Sequence, residues 1–434
     1  MSRLSLPYTD RRSISLDLPI GVAAAVHAPG AQSGVSPEVL LRQTLDHPAG
    51  SARLEEIVKP DDRVLIICDD VSRPTPAHLL MPAILDRLNH AGVPDRAIEI
   101  VFALGTHRPM TEAEMRAKVG DDAFRRLACH NHNAFDRAAL HYFGQSKEGI
   151  RVWLNSLVSS ASFVVGVGEL APHIVAGYGG GAKILYPGVA GEETIADFHA
   201  TFNVDPANYY GVYASPARAS IHQLAEVVGL DFVVNCVLGG ADQVHAIFAG
   251  DQRAVFDAGV GAAQRVHGVP VVRQYDVVVV SSYPHWLDFW QGCKGIFAGA
   301  GLARPGADII VAAACPDGIS RTHPDYVRRV GMDARVLTRQ VADRAVEDVI
   351  SAAGALRLAL MREQYRISLV SDGIGADEIT AMGFEAHATL EDALHAALSR
   401  REHIEEIGVM PYGGQTFCYT DARPIEKGAQ SRDH

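Results

Sequence analysis

The sequence predicts an α/β protein of two domains with mainly parallel sheets flanked by helices, and three observations carry that expectation. Seven apolar runs are continuous rather than alternating, which suits strands buried on both faces of a parallel sheet. Helical patterns such as LLMPAILDRLNHAG (79–92) and EDALHAALSRREHI (391–404) lie between such runs. At 434 residues the chain also exceeds what one hydrophobic core ordinarily serves.

Taken in order, VLIICDD (64–70) opens into VSRPTP, where Thr75 and Pro76 read as the N-cap and first position of the helix that follows. IEIVFALGTH (98–107) leads into RPMTEAE, and Thr111 with Glu114 has the spacing of a capping box. SFVVGVGEL (162–170) runs into APHIVAGYGGGAK, and DFVVNCVLGG (231–240) closes the first set. YDVVVVSSYP (275–284) leads into HWLDFWQGCKG, with ADIIVAAACPDG (307–318) and ISLVSDG (367–373) beyond it. The boundary falls within AGVGAAQRVHGVPVVRQ, which gives domains 1–264 and 265–434. Ligands of parallel α/β sheets collect beyond the carboxyl ends of the strands. The chemically distinctive residues all lie in those loops, so the active site is expected there, in the cleft between the domains.

Composition narrows the class. Hydrophobic residues make up 48% of the chain and charged residues 21%, the profile of a soluble globular enzyme. A formal net charge of -12 argues against a general nucleic-acid binder. No apolar run reaches membrane-spanning length and MSRLSLPYTDRRSISLDLP lacks a signal-like apolar core, so a cytoplasmic protein without membrane association is expected. The six cysteines form no CxxC pair and suggest no disulfide framework. The polar tail EKGAQSRDH reads as a frayed end.

Five motifs carry candidate chemistry, each with a plain structural reading beside it. DDVSRPTP places Asp69, Asp70 and Arg73 in one loop, either to meet ribose, metal, phosphate or carboxylate groups or as a local ion pair. His107 in GTHRPMTEAE stands at a strand end as an acid/base group or as a loop histidine bonded to backbone. GYGGGAK resembles a phosphate loop, but Ala182 and Ile184 break the GxxxxGK[ST] pattern, leaving Lys183 as a phosphate partner or a nucleophilic amine. In GEETIADFHATFN, Ile195, Phe198, His199 and Phe202 share a helical face, so His199 is either a core histidine or a lone metal ligand. Gln291 and Lys294 of HWLDFWQGCKG share a face that could hold a carboxylate, with Trp286 and Trp290 as core or pocket wall. A sixth cluster, Cys129, His130 and His132, lacks further ligands at zinc spacing.

In series, DDVSRPTP, GTHRPMTEAE, PHIVAGYGGGAKILYPGVAG, FHA (198–200) and WQGCKG resemble the nickel-dependent lactate racemase family, in the same order and at similar separations. The resemblance implies a racemase or epimerase of 2-hydroxy acids. Its cofactor is a nickel-pincer nucleotide, a pyridinium-3-thioamide-5-thiocarboxylic acid mononucleotide with Ni. It further implies Lys183 as the covalent attachment point, His199 as the nickel ligand, and His107 and His173 as the acid/base pair. Asp70, Arg73, Gly179, Gly180 and Gly181 would line the cofactor, and Gln291, Lys294, Arg73 and Trp290 the substrate. Hydride removal from C2 avoids building a second negative charge beside the carboxylate, and return to the other face of a transient 2-keto acid inverts the centre. Implied partners are the small 2-hydroxy acid and the cofactor-synthesis enzymes, with homo-oligomer formation open.

Two departures bear on substrate. Trp290 stands where the lactate enzymes carry tyrosine, and no tryptophan follows it. Arg321 and His323 are candidates for a second carboxylate or extra hydroxyls, or surface residues, so malate, an aromatic lactate and a sugar acid stay open beside lactate. The competing classes are a pyridine-nucleotide hydroxyacid dehydrogenase, which lacks its GxGxxG fingerprint here, and a non-catalytic binder of small anions.

Overall fold

In a computed structural model describing residues 2–30, 34–240 and 243–419, all seven apolar runs form strands. The polar tail at 426–434 lies outside the described residues. The described chain divides into two compact α/β units, one of residues 34–198 and 212–266 and one of residues 2–30, 199–211 and 267–419. The later crossing, between Val266 and His267, lies close to the expected boundary. The first thirty residues, however, group with the second unit rather than the first.

The first unit is built on a six-stranded sheet in the order Val244–Gly250, Phe232–Leu238, Phe163–Glu169, Val64–Asp69, Ile98–Ala103, Ala128–Asn131. Every pairing is parallel except that of Phe232–Leu238 with Val244–Gly250. Val64–Asp69 and Phe163–Glu169 are buried along their whole length, as continuous apolar strands between helical layers must be. The helix Ala77–His90 turns Leu80, Met81, Ile84, Leu85 and Leu88 onto the sheet, where they share a core with Ile66, Ile100, Phe102 and Val165. The chain steps from Val64–Asp69 outward to Ala128–Asn131, then returns to the opposite side of its starting strand with Phe163–Glu169. The sheet's topological switch point therefore lies between Val64–Asp69 and Phe163–Glu169.

The second unit has a six-stranded, wholly parallel sheet ordered Glu385–Ala386, Arg366–Val370, Ala303–Ala312, Tyr275–Ser281, Glu406–Met410, Ala23–Val26. The edge strand Ala23–Val26 explains why the N-terminal segment belongs here. Ahead of it, the hairpin Arg3–Pro7 and Ser13–Asp17 buries Leu6, Tyr8 and Leu16 against Val277, Ile310, Leu394 and Ile407. Among the described residues no helix is long and apolar enough to cross a membrane.

Candidate active site

Beyond the carboxyl end of Val64–Asp69, the loop folds around Asp70. One carboxylate oxygen accepts from the Ser72 amide at 3.0 Å and the Ser72 hydroxyl at 2.5 Å. The other meets Nδ1 of His107, from the end of the neighbouring strand, at 2.5 Å. A carboxylate only accepts, so Nδ1 of His107 carries a proton. Burial opposes the charge of Asp70, but His107, Arg73 and Ser72 outweigh it and hold the carboxyl far below the usual range. Arg73 donates to the Ser72 hydroxyl at 3.0 Å, completing a connected loop.

Asp69, one residue earlier, faces the opposite way and is structural. It pairs with Lys118 at 2.8 Å and accepts from the Thr75 hydroxyl. The Lys118 ammonium also donates to the Arg73 carbonyl at 2.9 Å, so one buried lysine ties the strand end to the loop. This corrects the capping expectation. The helix Ala77–His90 starts after Pro76 without a side-chain cap, because Thr75 serves the buried carboxylate instead. The Thr111 capping box does form, with Thr111 accepting from the Glu114 amide and Glu114 reaching back.

On the other side of the switch point, the chain leaves Phe163–Glu169 into a short hairpin that pairs His173 with Gly177. Nδ1 of His173 accepts from the amides of Val175 and Ala176, each at 3.2 Å, so the neutral ring carries its proton on Nε2. The glycine run follows. Gly180 and Gly181 have φ of +72° and +54°, and a Cβ at Gly180 would lie 2.7 Å from Leu170 Cγ. The Gly179 amide donates to the Ala171 carbonyl at 2.7 Å and the Gly181 amide to Asn235 Oδ1 at 2.7 Å. Those two amides are therefore committed to the protein, and the loop does not offer a continuous cradle of N–H groups. What it presents instead is Lys183, on the turn Gly181–Ile184. Burial, Arg73 and Arg218, against the pull of Asp70, push the Lys183 amine down to about 7.

His199 lies on the helix Glu192–Phe202, whose Ile195, Phe198 and Phe202 are buried as the sequence predicts. Thr194 anchors the start of this helix, accepting from the Trp153 amide at 2.9 Å and donating to the Arg151 carbonyl at 2.8 Å. The chain passes from the first unit to the second between Phe198 and His199.

In the second unit, the strand Tyr275–Ser281 ends at a segment carrying His285, followed by the short helices Phe289–Gly292 and Lys294–Ala300. Gln291 and Lys294 are both buried, and Asp288 caps the turn by accepting from the Gln291 amide at 2.9 Å. The Lys294 ammonium donates to Nε2 of His285 at 3.0 Å, a partner absent from the sequence reading. Trp290 stacks on His323 with ring centroids 4.5 Å apart, and His323 meets Asp348 at 2.9 Å. His323 is thus a buried, paired histidine and not a surface residue, while Arg321 is exposed and pairs with Asp317. Gln415, also missed, is fully buried, and among the described residues neither carboxamide atom has a hydrogen-bond partner.

The Cys129, His130, His132 cluster does not form a metal site. His130 bonds Glu99 at 2.7 Å, and His132 uses both ring nitrogens on Asn155 and the Ala190 carbonyl.

An α/β protein that sets a carboxylate-bonded imidazole and a buried lysine amine in the loops beyond its sheet's strand ends has the layout of the α/β enzymes that bind ligands there. More narrowly, the chain belongs to the lactate racemase family. Residues 9–211 match the lactate racemase N-terminal domain and residues 272–417 the C-terminal domain. The chain is 27% identical to the lactate racemase of Lactiplantibacillus plantarum, over 95% of this chain and 99% of that protein. It is 25% identical to that of Thermoanaerobacterium thermosaccharolyticum, over 95% and 98%. The lactate racemase apoprotein structure from the latter organism shares the fold with a TM-score of 0.84 at 24% identity, covering 96% of this chain and all of that one. A Thermotoga maritima protein shares it at 0.73 and 20% identity, covering 90% of this chain and all of that one.

Proposed function

We propose that the chain inverts the C2 centre of a 2-hydroxy acid, lactate or a larger relative, using a nickel-pincer nucleotide attached to Lys183. When bound, that group supplies a site that takes the C2 hydride and returns it to the other face. Among the described residues, no three His, Cys, Asp or Glu side chains converge as a metal site. A nickel ion on His199 would therefore take its other donors from the nucleotide, a set of sulfur and carbon donors that suits nickel. The observation that carries the reading is the placement of Lys183 on the glycine turn Gly181–Ile184, where burial, Arg73 and Arg218 favour the uncharged, nucleophilic amine that attachment requires.

The protein's own part follows from the hydrogen bonds. With Nδ1 protonated toward Asp70, His107 would take the hydroxyl proton at Nε2, and Asp70 would stabilise the resulting imidazolium. His173 would act in the opposite sense, donating from Nε2–H to the substrate oxygen while its Nδ1 accepts from the Val175 and Ala176 amides. Taking a proton at Nε2 would require it to release the Val175 and Ala176 amides. Gln291 and Lys294 would hold the substrate carboxylate while C2 changes geometry.

Production beside the cofactor-synthesis enzymes, followed by intact-mass and metal measurements, should give an adduct on Lys183 and nickel that is lost in His199→Ala. Single enantiomers of lactate, malate, phenyllactate and sugar acids, followed by optical rotation without added NAD, should identify the substrate. An unmodified, nickel-free chain with full racemising activity would refute the pincer reading.

A further inference from the structure

Arg218 stands on the helix Pro216–Val228, 3% exposed, directly behind the glycine run. Its Nε donates to the Ala176 carbonyl at 3.4 Å, Nη1 to the Gly180 carbonyl at 3.3 Å, and Nη2 to the Tyr178 carbonyl. Phe256 lies beneath the guanidinium, 4.2 Å from ring centroid to Cζ. Every acceptor is backbone, and among the described residues no carboxylate pairs with this buried cation. Burial and Arg253 press the guanidinium down to about 9, which still leaves it charged at neutral pH. One turn on, His222 is pushed down to about 3 by burial and Arg218 and contributes no compensating charge.

We propose that Arg218 is a positioning residue that keeps Lys183 uncharged and nucleophilic before any cofactor is attached. Its guanidinium, clamped to the Ala176, Tyr178 and Gly180 carbonyls, sets a fixed positive charge against the loop that carries Lys183. A second positive charge beside an unneutralised one is disfavoured, so the ammonium form of Lys183 is suppressed. Burial and Arg73 act in the same direction and more strongly, so Arg218 adds to them, while Asp70 acts against all three, though its carboxylate already serves His107. Arginine suits the task because a buried lysine would itself shed its proton. The same unbalanced charge favours an arriving dianionic phosphate, so attachment and nucleotide capture draw on one feature.

The proposal rests on the reading of Lys183 as the attachment point, but its test uses the unloaded chain and needs neither nickel nor turnover. Pyridoxal 5′-phosphate is the probe. The lysine nitrogen attacks the aldehyde carbon, water leaves to give an imine, and borohydride delivers hydride to fix it as a secondary amine. Peptide mapping across a pH series then gives the midpoint for Lys183, with exposed Lys59 and Lys147 as internal controls. Arg218→Met should move the Lys183 midpoint upward and reduce its labelling at neutral pH about tenfold. His222→Glu keeps the arginine, places a carboxylate one turn from it, and should shift the midpoint the same way. A purely structural role would lower Lys183 labelling at every pH without moving its midpoint. Midpoints equal to wild type in a folded Arg218→Met or His222→Glu chain would overturn the proposal.

Discussion

Neutralising Asp70 is the sharpest single-residue test. Asp70→Asn keeps the shape but lets His107 lose its fixed tautomer, and kcat should fall roughly 10²- to 10⁴-fold, with KM nearly unchanged. The same substitution has a stability signature. The folded carboxyl sits below its unfolded value, so its contribution is full above about pH 4 and is lost as pH falls toward the folded value. Thermal melts across the acid range should show a shallower loss in Asp70→Asn than in wild type. Lys183 has the same pH slope but the opposite sign of contribution, because its depressed amine is a cost to folding rather than a gain. Its folded value of about 7 lies below the roughly 10.4 of an unfolded lysine, so the unfolded chain binds more protons between those values and stability from this group rises with pH. Lys183→Met should therefore melt at least a few degrees higher than the unloaded wild type near neutrality, with the gain vanishing by about pH 10. An equal or lower melting temperature at neutral pH would contradict the depressed amine. Asp70, Arg73, His107 and Lys183 stand out in the sequence as candidates because each follows a recognisable strand in a loop beyond its end. Lys118 and Arg218 were not, because their partners Asp69 and the Ala176–Gly180 carbonyls lie about forty or more residues away in sequence.

At the scale of elements, apolar continuity located every strand around the switch point, and local chemistry located the Thr111 cap. Thr75 shows where local chemistry fails, since a buried carboxylate nearby competes for the same hydroxyl. Val244–Gly250 escaped notice because its burial is interrupted at His245, Ala246 and Phe248, and Ala23–Val26 because a short, partly exposed edge strand has no distinctive run. The glycine run shows how sequence pattern and physical role can part. GYGGGAK reads as a phosphate cradle, yet the backbone needs Gly180 for its positive φ and its close approach to Leu170 and Glu169. Gly180→Ala should destabilise the first unit by about 1–3 kcal/mol and abolish Lys183 labelling, as followed by melts and peptide mapping. Normal labelling in that variant would mean the loop tolerates a Cβ where the geometry leaves no room.

For the whole molecule, the order of the chain and the order of the units differ. The N-terminal hairpin and the Ala23–Val26 strand supply buried surface and an edge to the second unit, so cutting at residue 264 removes part of that unit's core. A 265–434 fragment should expose hydrophobic surface to a reporter dye and melt without cooperativity, and a chain that also carries residues 1–30 and 199–211 should melt cooperatively. A cooperative 265–434 fragment would show that the hairpin is dispensable. Two-domain α/β architecture was legible from composition and pattern, but this interleaving was not, because strand partnership across some 380 residues leaves no local mark. Lys118 has a use at this level too. In TEAEMRAKVG it resembles any surface lysine open to trypsin or acetylation, yet it is sealed between Asp69 and the Arg73 carbonyl. A protease or acylating reagent that reaches it must wait for its bonds to Asp69 and the Arg73 carbonyl to break, so the rate at which Lys118 is modified is a clock on the integrity of the Asp70 loop.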